Sequence, residues 1–464
     1  MFFPTVLTVY FLLGRFKLNA NGWLLLSSLA FYGYWDINYL PILLGSIAIN
    51  FGIAKLILDT NHKNLFFGLG LCFNLGLLGV YKYLDFIIEN INRVGAGIEP
   101  LGLILPLGIS FFTITQLLYL YDCYSGVTKE HGVINYALFV SFFPHLMAGP
   151  ILYHRQMFKQ FNDERLRAVD WQNLSSGLIL FIIGLIKKVL IADQLSPYVG
   201  LGFGSTVEID CLTAWLTAVS YMLQLYFDFS GYSDMAVGLS KMMNLDIPIN
   251  FNSPYRASSM INFWQRWHIS LTNAITACVY MPLVRRFKTR TLGHTVTASF
   301  IAFFIVGIWH GAGWTFVVFA ILNAVGIVVN YVWKFYKCSL PLIPAHLLTL
   351  TYVLLTMVFF RAESVTDAVN MISAMFGSNG IVFPQKLVTL AAMFNVPLTV
   401  GNVPGSLPKL IFIAAILIVA FCPNSNQLTK KISPSPWLAT AAAIALFIAT
   451  LHLSSVTEFL YFQF

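Results

Sequence analysis

Charge is what this sequence has least of. Only 10% of its 464 residues are Asp, Glu, Lys or Arg and 58% are hydrophobic, whereas soluble domains carry about 25% charged residues. So little polar surface excludes a soluble globule and points to a membrane protein. Acids are scarcer than bases, 19 against 27, which leaves a net charge of +8. That excess does not imply nucleic acid, because the basic residues lie in short loops between apolar runs, where the positive-inside rule and anionic headgroups account for them. The six cysteines form no CxxC pair, which removes a disulfide framework or a zinc ribbon and leaves small buried hydrophobes. Period-two alternation is missing, so a β-barrel is excluded. Also missing are tandem repeats, low-complexity segments and any long linker, so residues 1–464 read as one domain. The N-terminus lacks a basic leader and a cleavage site and reads as a retained first helix.

What is present is a succession of apolar runs. They lie near 1–14, 22–35, 39–58, 64–81, 101–121, 133–152, 174–192, 211–227, 296–309, 314–333, 346–360, 386–400, 409–421 and 437–453. Since a crossing takes about 20 residues, the pattern predicts an all-α, multi-pass protein of about eleven transmembrane helices plus re-entrant and interfacial helices. Arg15 and Lys17 after the first run, and Lys55 and Lys63 after the third, place the N-terminus outside. Lys82 and Arg93 in the next apparent loop, then Arg155, Lys159, Arg165 and Arg167, break the alternation. If both loops flanking 133–152 are cytoplasmic, that run must dip in and return.

From Ser240 to Thr295 the chain is too polar to span and reads as a cytoplasmic-face, partly inserted region. Ser258 or Ser259 can cap an amphipathic helix there, with Phe263 and Trp267 on one face and Trp264 and His268 on the next. Ala362–Phe376 reads as a second interfacial helix, opened by a Ser364–Asp367 capping box and stopped at Gly377.

An ionisable side chain at membrane depth is costly and points to function. His310 is the clearest case, set in FFIVGIWHGAGW between Trp309 and Trp314, with Gly307, Gly311 and Gly313 permitting close approach. His268, in FWQRWHIS, also follows a tryptophan but reads as interfacial. Asp228, Ser230, Ser233 and Asp234 cluster in YFDFSGYSDMAVGL. No GxSxG elbow accompanies them, and Ser230-Gly231-Tyr232 reads as a structural turn. Neither histidine belongs to a close pair such as HxxxH, so no metal is expected. An imidazole titrating near pH 7 suits one reaction well: taking the proton of a hydroxyl as it attacks an activated acyl group. Acyl transfer from a thioester is the chemistry these residues favour.

At these same residues the chain resembles the membrane-bound O-acyltransferase family, in its bacterial alginate-O-acetylation-like branch. LPLGISFFTITQLLYLYDCY from Leu105, HLMAGPILYHR from His145, the Tyr226 and Asn250 segments, GIWHGAGWTFVVF from Gly307, VFFRAE from Val358 and the terminal Phe459–Phe464 all look like that branch, in order. The resemblance implies a ring of tilted helices around a central tunnel joining the two faces, with His310 as the essential histidine and His268 as the second. Trp309, Trp264, Trp267, Arg266 and Asp228 are expected to bind substrate or donor; Arg285 and Arg286, clustered with Lys288 and Arg290 beside the motif, are expected either to bind the donor's phosphates or to serve as a positive-inside anchor. No bound cofactor is implied; acetyl-CoA or another acyl thioester is co-substrate. The expected function is O-acetyl transfer at a bacterial inner membrane to an extracytoplasmic polysaccharide resembling alginate, cellulose or peptidoglycan, directly or through a periplasmic acetyltransferase partner. D-alanyl or lipid acyl transfer is the alternative within the family, and a proton-coupled transporter or flippase the alternative outside it. One departure stands out: where the branch carries an Arg-Asp pair after RWHISL, this chain has Ala274–Cys278 (AITAC).

Overall fold

The computed structural model describes residues 1–128, 132–203, 209–289, 291–383, 399–400, 409–431, 435–453 and 459–460. Within them the chain is helical apart from a two-residue parallel pairing of Val382–Phe383 with Thr399–Val400. Six helices are long and apolar enough to cross a membrane: Ile37–Asp59, Lys63–Asn92, Trp171–Gly200, Leu292–His310, Trp314–Phe335 and Leu342–Arg361. Phe2–Arg15, Leu410–Phe421 and Pro436–Leu451 are shorter apolar helices. Fewer full-length crossings thus appear among the described residues than the count of runs implies, because several runs end in short helices. Most of the 386–400 run and Arg290 lie outside the described residues.

Two runs extend further than their apolar character predicts, each through a wide π-type turn that carries lysine: Gly79–Tyr83 before Asn92, and Lys187–Ala192 before Gly200. Such turns shift the side-chain register without ending the helix. Lys82 therefore does not lie in a cytoplasmic loop. It sits inside a membrane-length helix, which leaves Arg93 as the one basic residue of the loop that follows, residues 93–108.

The run 133–152 divides into Val133–Ser141 and Phe143–Leu146, parted at Phe142 (φ −52°, ψ 108°) ahead of Pro144. At about 1.5 Å per residue neither piece approaches the roughly 30 Å of a hydrocarbon core. A dip fits this segment better than a crossing.

The longest helix, Cys211–Met242, has most of its side chains buried. It runs straight through Ser230-Gly231-Tyr232, so the expected turn is helix interior. Gly231 is there for close packing. A Cβ on it would meet Gly184 O at 2.7 Å, and one on Gly238 would meet Gly177 O at 2.6 Å. Two glycine pairs, two turns apart, bring this helix against Trp171–Ile186. Buried ion pairs join Cys211–Met242 to the π-type turn that follows Ile186, Lys187 Nζ to Asp234 Oδ2 at 2.6 Å and Lys188 Nζ to Asp228 Oδ1 at 2.7 Å, and Lys188 also pairs with Asp193 Oδ1 at 2.9 Å just beyond that turn.

The interfacial helix Val365–Met375 forms as expected, with Ser364 Oγ accepting from Asp367 N at 3.1 Å and Gly377 at φ 91° beyond its end.

Candidate active site

His310 is the last residue of the helix Leu292–His310, which stops because Gly311 is fully extended (φ −162°). The helix packs on Trp314–Phe335 at Gly307, where any Cβ would strike Ala320. This short return holds the imidazole inside the protein, 4% exposed. Aromatic edges surround it: Phe360 at 5.2 Å, Phe319 at 6.0 Å and Trp309 at 5.3 Å between centroids. Phe360 comes from Leu342–Arg361, within the VFFRAE segment.

The amphipathic helix expected through His268 is only Met260–Trp264, with Ser259 Oγ accepting from Asn262 N at 3.1 Å. The chain then turns, and His268 adopts a left-handed backbone (φ 45°) before the helix Ile269–Ile275. That conformation costs a β-carbon residue about 1–2 kcal/mol and redirects the side chain inward. His268 is therefore not interfacial: it is fully buried, its ring 6.4 Å from that of His310 and 4.8 Å from Phe229, edge to face.

Asn250 supports this turn. Its Oδ1 accepts from Ser270 Oγ at 2.6 Å and lies 3.3 Å from His268 Nδ1, while its backbone carbonyl accepts from Ile269 N at 3.0 Å. An acceptor facing Nδ1 places the proton of a neutral imidazole there and leaves Nε2 as the acceptor nitrogen. Asn250 Nδ2 donates to Ser233 Oγ at 3.3 Å.

The other sequence candidates lie at varied distances from the two histidines. Trp309 packs beside both imidazoles, 6.3 Å from His268. Trp267 is buried in an aromatic stack with Phe263, Tyr255 and Phe251, the last also touching Phe229. Trp264 donates to Asn323 Oδ1 at 3.3 Å and walls a cavity of about 320 Å³ with Thr272, Asn273, Thr276, Tyr280 and Phe303. The segment that departs from the family pattern thus lines a cavity beside Trp264, through a third π-type turn, Thr276–Tyr280. Arg266 is half-buried and tied to Asn262 Oδ1 and Asn252 O. Asp228 accepts from Leu460 N at 2.9 Å besides pairing with Lys188, and Phe459 stacks on Tyr232 at 4.9 Å; residues 461–464 lie outside the described residues. Arg285 and Arg286 are exposed at the end of the helix Met281–Arg285.

Sequence reasoning missed Asn250, Phe229, Phe360 and Lys82. Lys82 Nζ donates to the carbonyls of both Trp309 and His310 at 2.8 Å. With Ser110, Phe111, Met147 and Trp309 it also lines a cavity of about 70 Å³. Among the described residues no cluster of three or more His, Cys, Asp or Glu forms a metal-ligand set. The site thus consists of two buried imidazoles within an aromatic shell.

A family model described as MBOAT, membrane-bound O-acyltransferase family, matches residues 107–337, which include both histidines. A peptidoglycan O-acetyltransferase of Helicobacter pylori is 36% identical over 100% of this chain and 95% of its own length. The protein named "Probable alginate O-acetylase AlgI" of Azotobacter vinelandii is 31% identical over 100% of this chain and 98% of its own. A teichoic acid D-alanyltransferase of Streptococcus thermophilus is 30% identical over 49% of this chain and 57% of its own.

Proposed function

The chain belongs to the membrane-bound O-acyltransferase family, and on that premise we propose that it is an O-acetyltransferase of the bacterial inner membrane. It takes acetyl from a cytoplasmic thioester, acetyl-CoA, and delivers it to hydroxyls of an exported polysaccharide. Peptidoglycan is the first acceptor to test, because the peptidoglycan O-acetyltransferase aligns with the whole chain at 36% identity. The teichoic acid D-alanyltransferase aligns with only 49%, which favours acetyl over D-alanyl.

The observation that carries the reading is the pair of buried imidazoles, 6.4 Å apart. His310 accepts the proton of the attacking hydroxyl; the oxygen bonds to the thioester carbon, the carbon–sulfur bond breaks, and the thiolate regains the proton. His268, held by Asn250, orients donor or acceptor. The aromatic walls keep water from competing for the acyl group. Arg285 and Arg286, with Lys288 and Arg290, bind the donor's phosphates at the cytoplasmic mouth. Trp309, Trp264, Trp267, Arg266 and Asp228 line or brace the path, and the chain works as one catalytic unit.

The test supplies radiolabelled acetyl-CoA to the cytoplasmic side of membrane vesicles and polymer to the other. Label on the polymer is expected. Label that reaches it only when a periplasmic acetyltransferase is added makes transfer indirect. No transfer from any acyl thioester would sink the proposal in favour of a transporter.

A further inference from the structure

The helix Leu292–His310 ends on the residue it presents. The last carbonyls of a helix have no partner within it, and a membrane interior offers no bulk water to take them. Here another helix takes three in succession. Tyr83 Oη donates to Ile308 O at 2.7 Å, and Lys82 Nζ donates to Trp309 O and His310 O, both at 2.8 Å. Further along the same helix, Asn90 Oδ1 accepts from Trp314 Nε1 at 2.8 Å, and the Phe86 ring meets Trp314 at 6.0 Å. Residues 83, 86 and 90 share one helix face, and the π-type turn Gly79–Tyr83 brings Lys82 alongside it. The stretch 82–90 thus grips the 308–314 return on both sides of its glycines.

A lysine is an expensive way to satisfy carbonyls at membrane depth. It is also the side chain that best fits this position. A cation complements the negative end of the helix dipole, and one ammonium donates to two consecutive carbonyls, including that of His310 itself. Its proximity to the Trp309 ring, 5.9 Å from the centroid, adds a contact to the residue that packs beside both imidazoles.

We propose that Lys82 is a positioning residue for His310: with Tyr83 and Asn90 it clamps the helix end, and so sets where the imidazole meets the reacting groups. The inference rests on His310 as the base. Catalytic geometry is sensitive to such supports, since a displacement of about 1 Å can cost on the order of 10²-fold in rate.

The full chain in vesicles is assayed as wild type, Lys82→Met, Lys82→Arg, Tyr83→Phe and His310→Ala. Lys82→Met should lower kcat for acetyl transfer on the order of 10²-fold while KM for acetyl-CoA stays unchanged, and Lys82→Arg, which keeps charge and donors, should recover part of it. If Lys82→Met does not accumulate in the membrane, Tyr83→Phe carries the test: loss of one hydroxyl should lower kcat at full accumulation. A folded Lys82→Met with wild-type kcat overturns the clamp, as does a raised KM at unchanged kcat, or wild-type kcat in Tyr83→Phe where Lys82→Met is not obtained. Wild-type transfer by His310→Ala instead overturns the role of the base.

Discussion

His268 at φ 45° is the residue whose backbone most directly reports on the site. A non-glycine side chain in left-handed conformation is strained and persists where its surroundings hold it. Asparagine, like histidine and aspartate, tolerates this region better than other β-carbon residues. His268→Asn should therefore keep wild-type thermal stability in detergent yet lose acetyl transfer, whereas His268→Ala should lose activity and about 1 kcal/mol of stability as well. Equal melting temperatures for the two variants would contradict the strain account. Asn250→Ala removes the acceptor for Ser270 and the neighbour of His268 Nδ1. It should lower kcat on the order of 10²-fold with little change in donor KM, and an unchanged kcat would release Asn250 from the site. At this scale the sequence was unevenly legible. His310 stands out because a histidine in an apolar run has few explanations. His268 was misplaced because helical spacing was carried through Gln265–Trp267, where the chain leaves the helix and turns inward. Asn250 and Lys82 carry no local signal: their partners lie 17 residues away or more.

Among elements, the packing of Cys211–Met242 on Trp171–Ile186 decides how close the buried lysines come to Asp228 and Asp234. A Cβ at Gly184 would collide with Gly231 O, while one at Gly45 would meet nothing within 4 Å. Gly184→Ala should cost about 1–3 kcal/mol through overpacking. Gly45→Ala, at an open helix position, should gain about 0.5–1 kcal/mol. Matching effects in thermal denaturation would contradict the packing. Long apolar runs made the major helices readable, and the Ser364 cap and Gly377 stop fixed Val365–Met375 almost to the residue. The π-type turns were not readable, since hydrophobic periodicity does not register one extra residue. That blind spot turned Lys82 into a loop residue, whereas Ser230–Tyr232 read as a turn on its Ser-Gly chemistry although it lies inside Cys211–Met242. It also hid the three helix shifts that carry Lys82, the Lys187–Lys188 pair and part of the Ala274–Cys278 departure.

For the molecule as a whole, charge and hydropathy establish a multi-pass helical membrane protein, and the family supplies the reaction. The exposed Arg285 and Arg286 belong to this scale, because the proposed donor, acetyl-CoA, carries phosphate charge. Replacing both with Glu should raise KM for acetyl-CoA and weaken its salt dependence. An unchanged KM would leave the pair as topological anchors. The meeting of the two histidines could not be read from composition; the convergence of His310 from one helix end and His268 from a polar, non-spanning region is a tertiary fact. The account stands most directly on the base itself. In vesicles supplied with radiolabelled acetyl-CoA on one side and polymer on the other, wild type should label the polymer and His310→Ala, present at equal abundance, should not; label appearing at the wild-type rate in that variant would contradict the account.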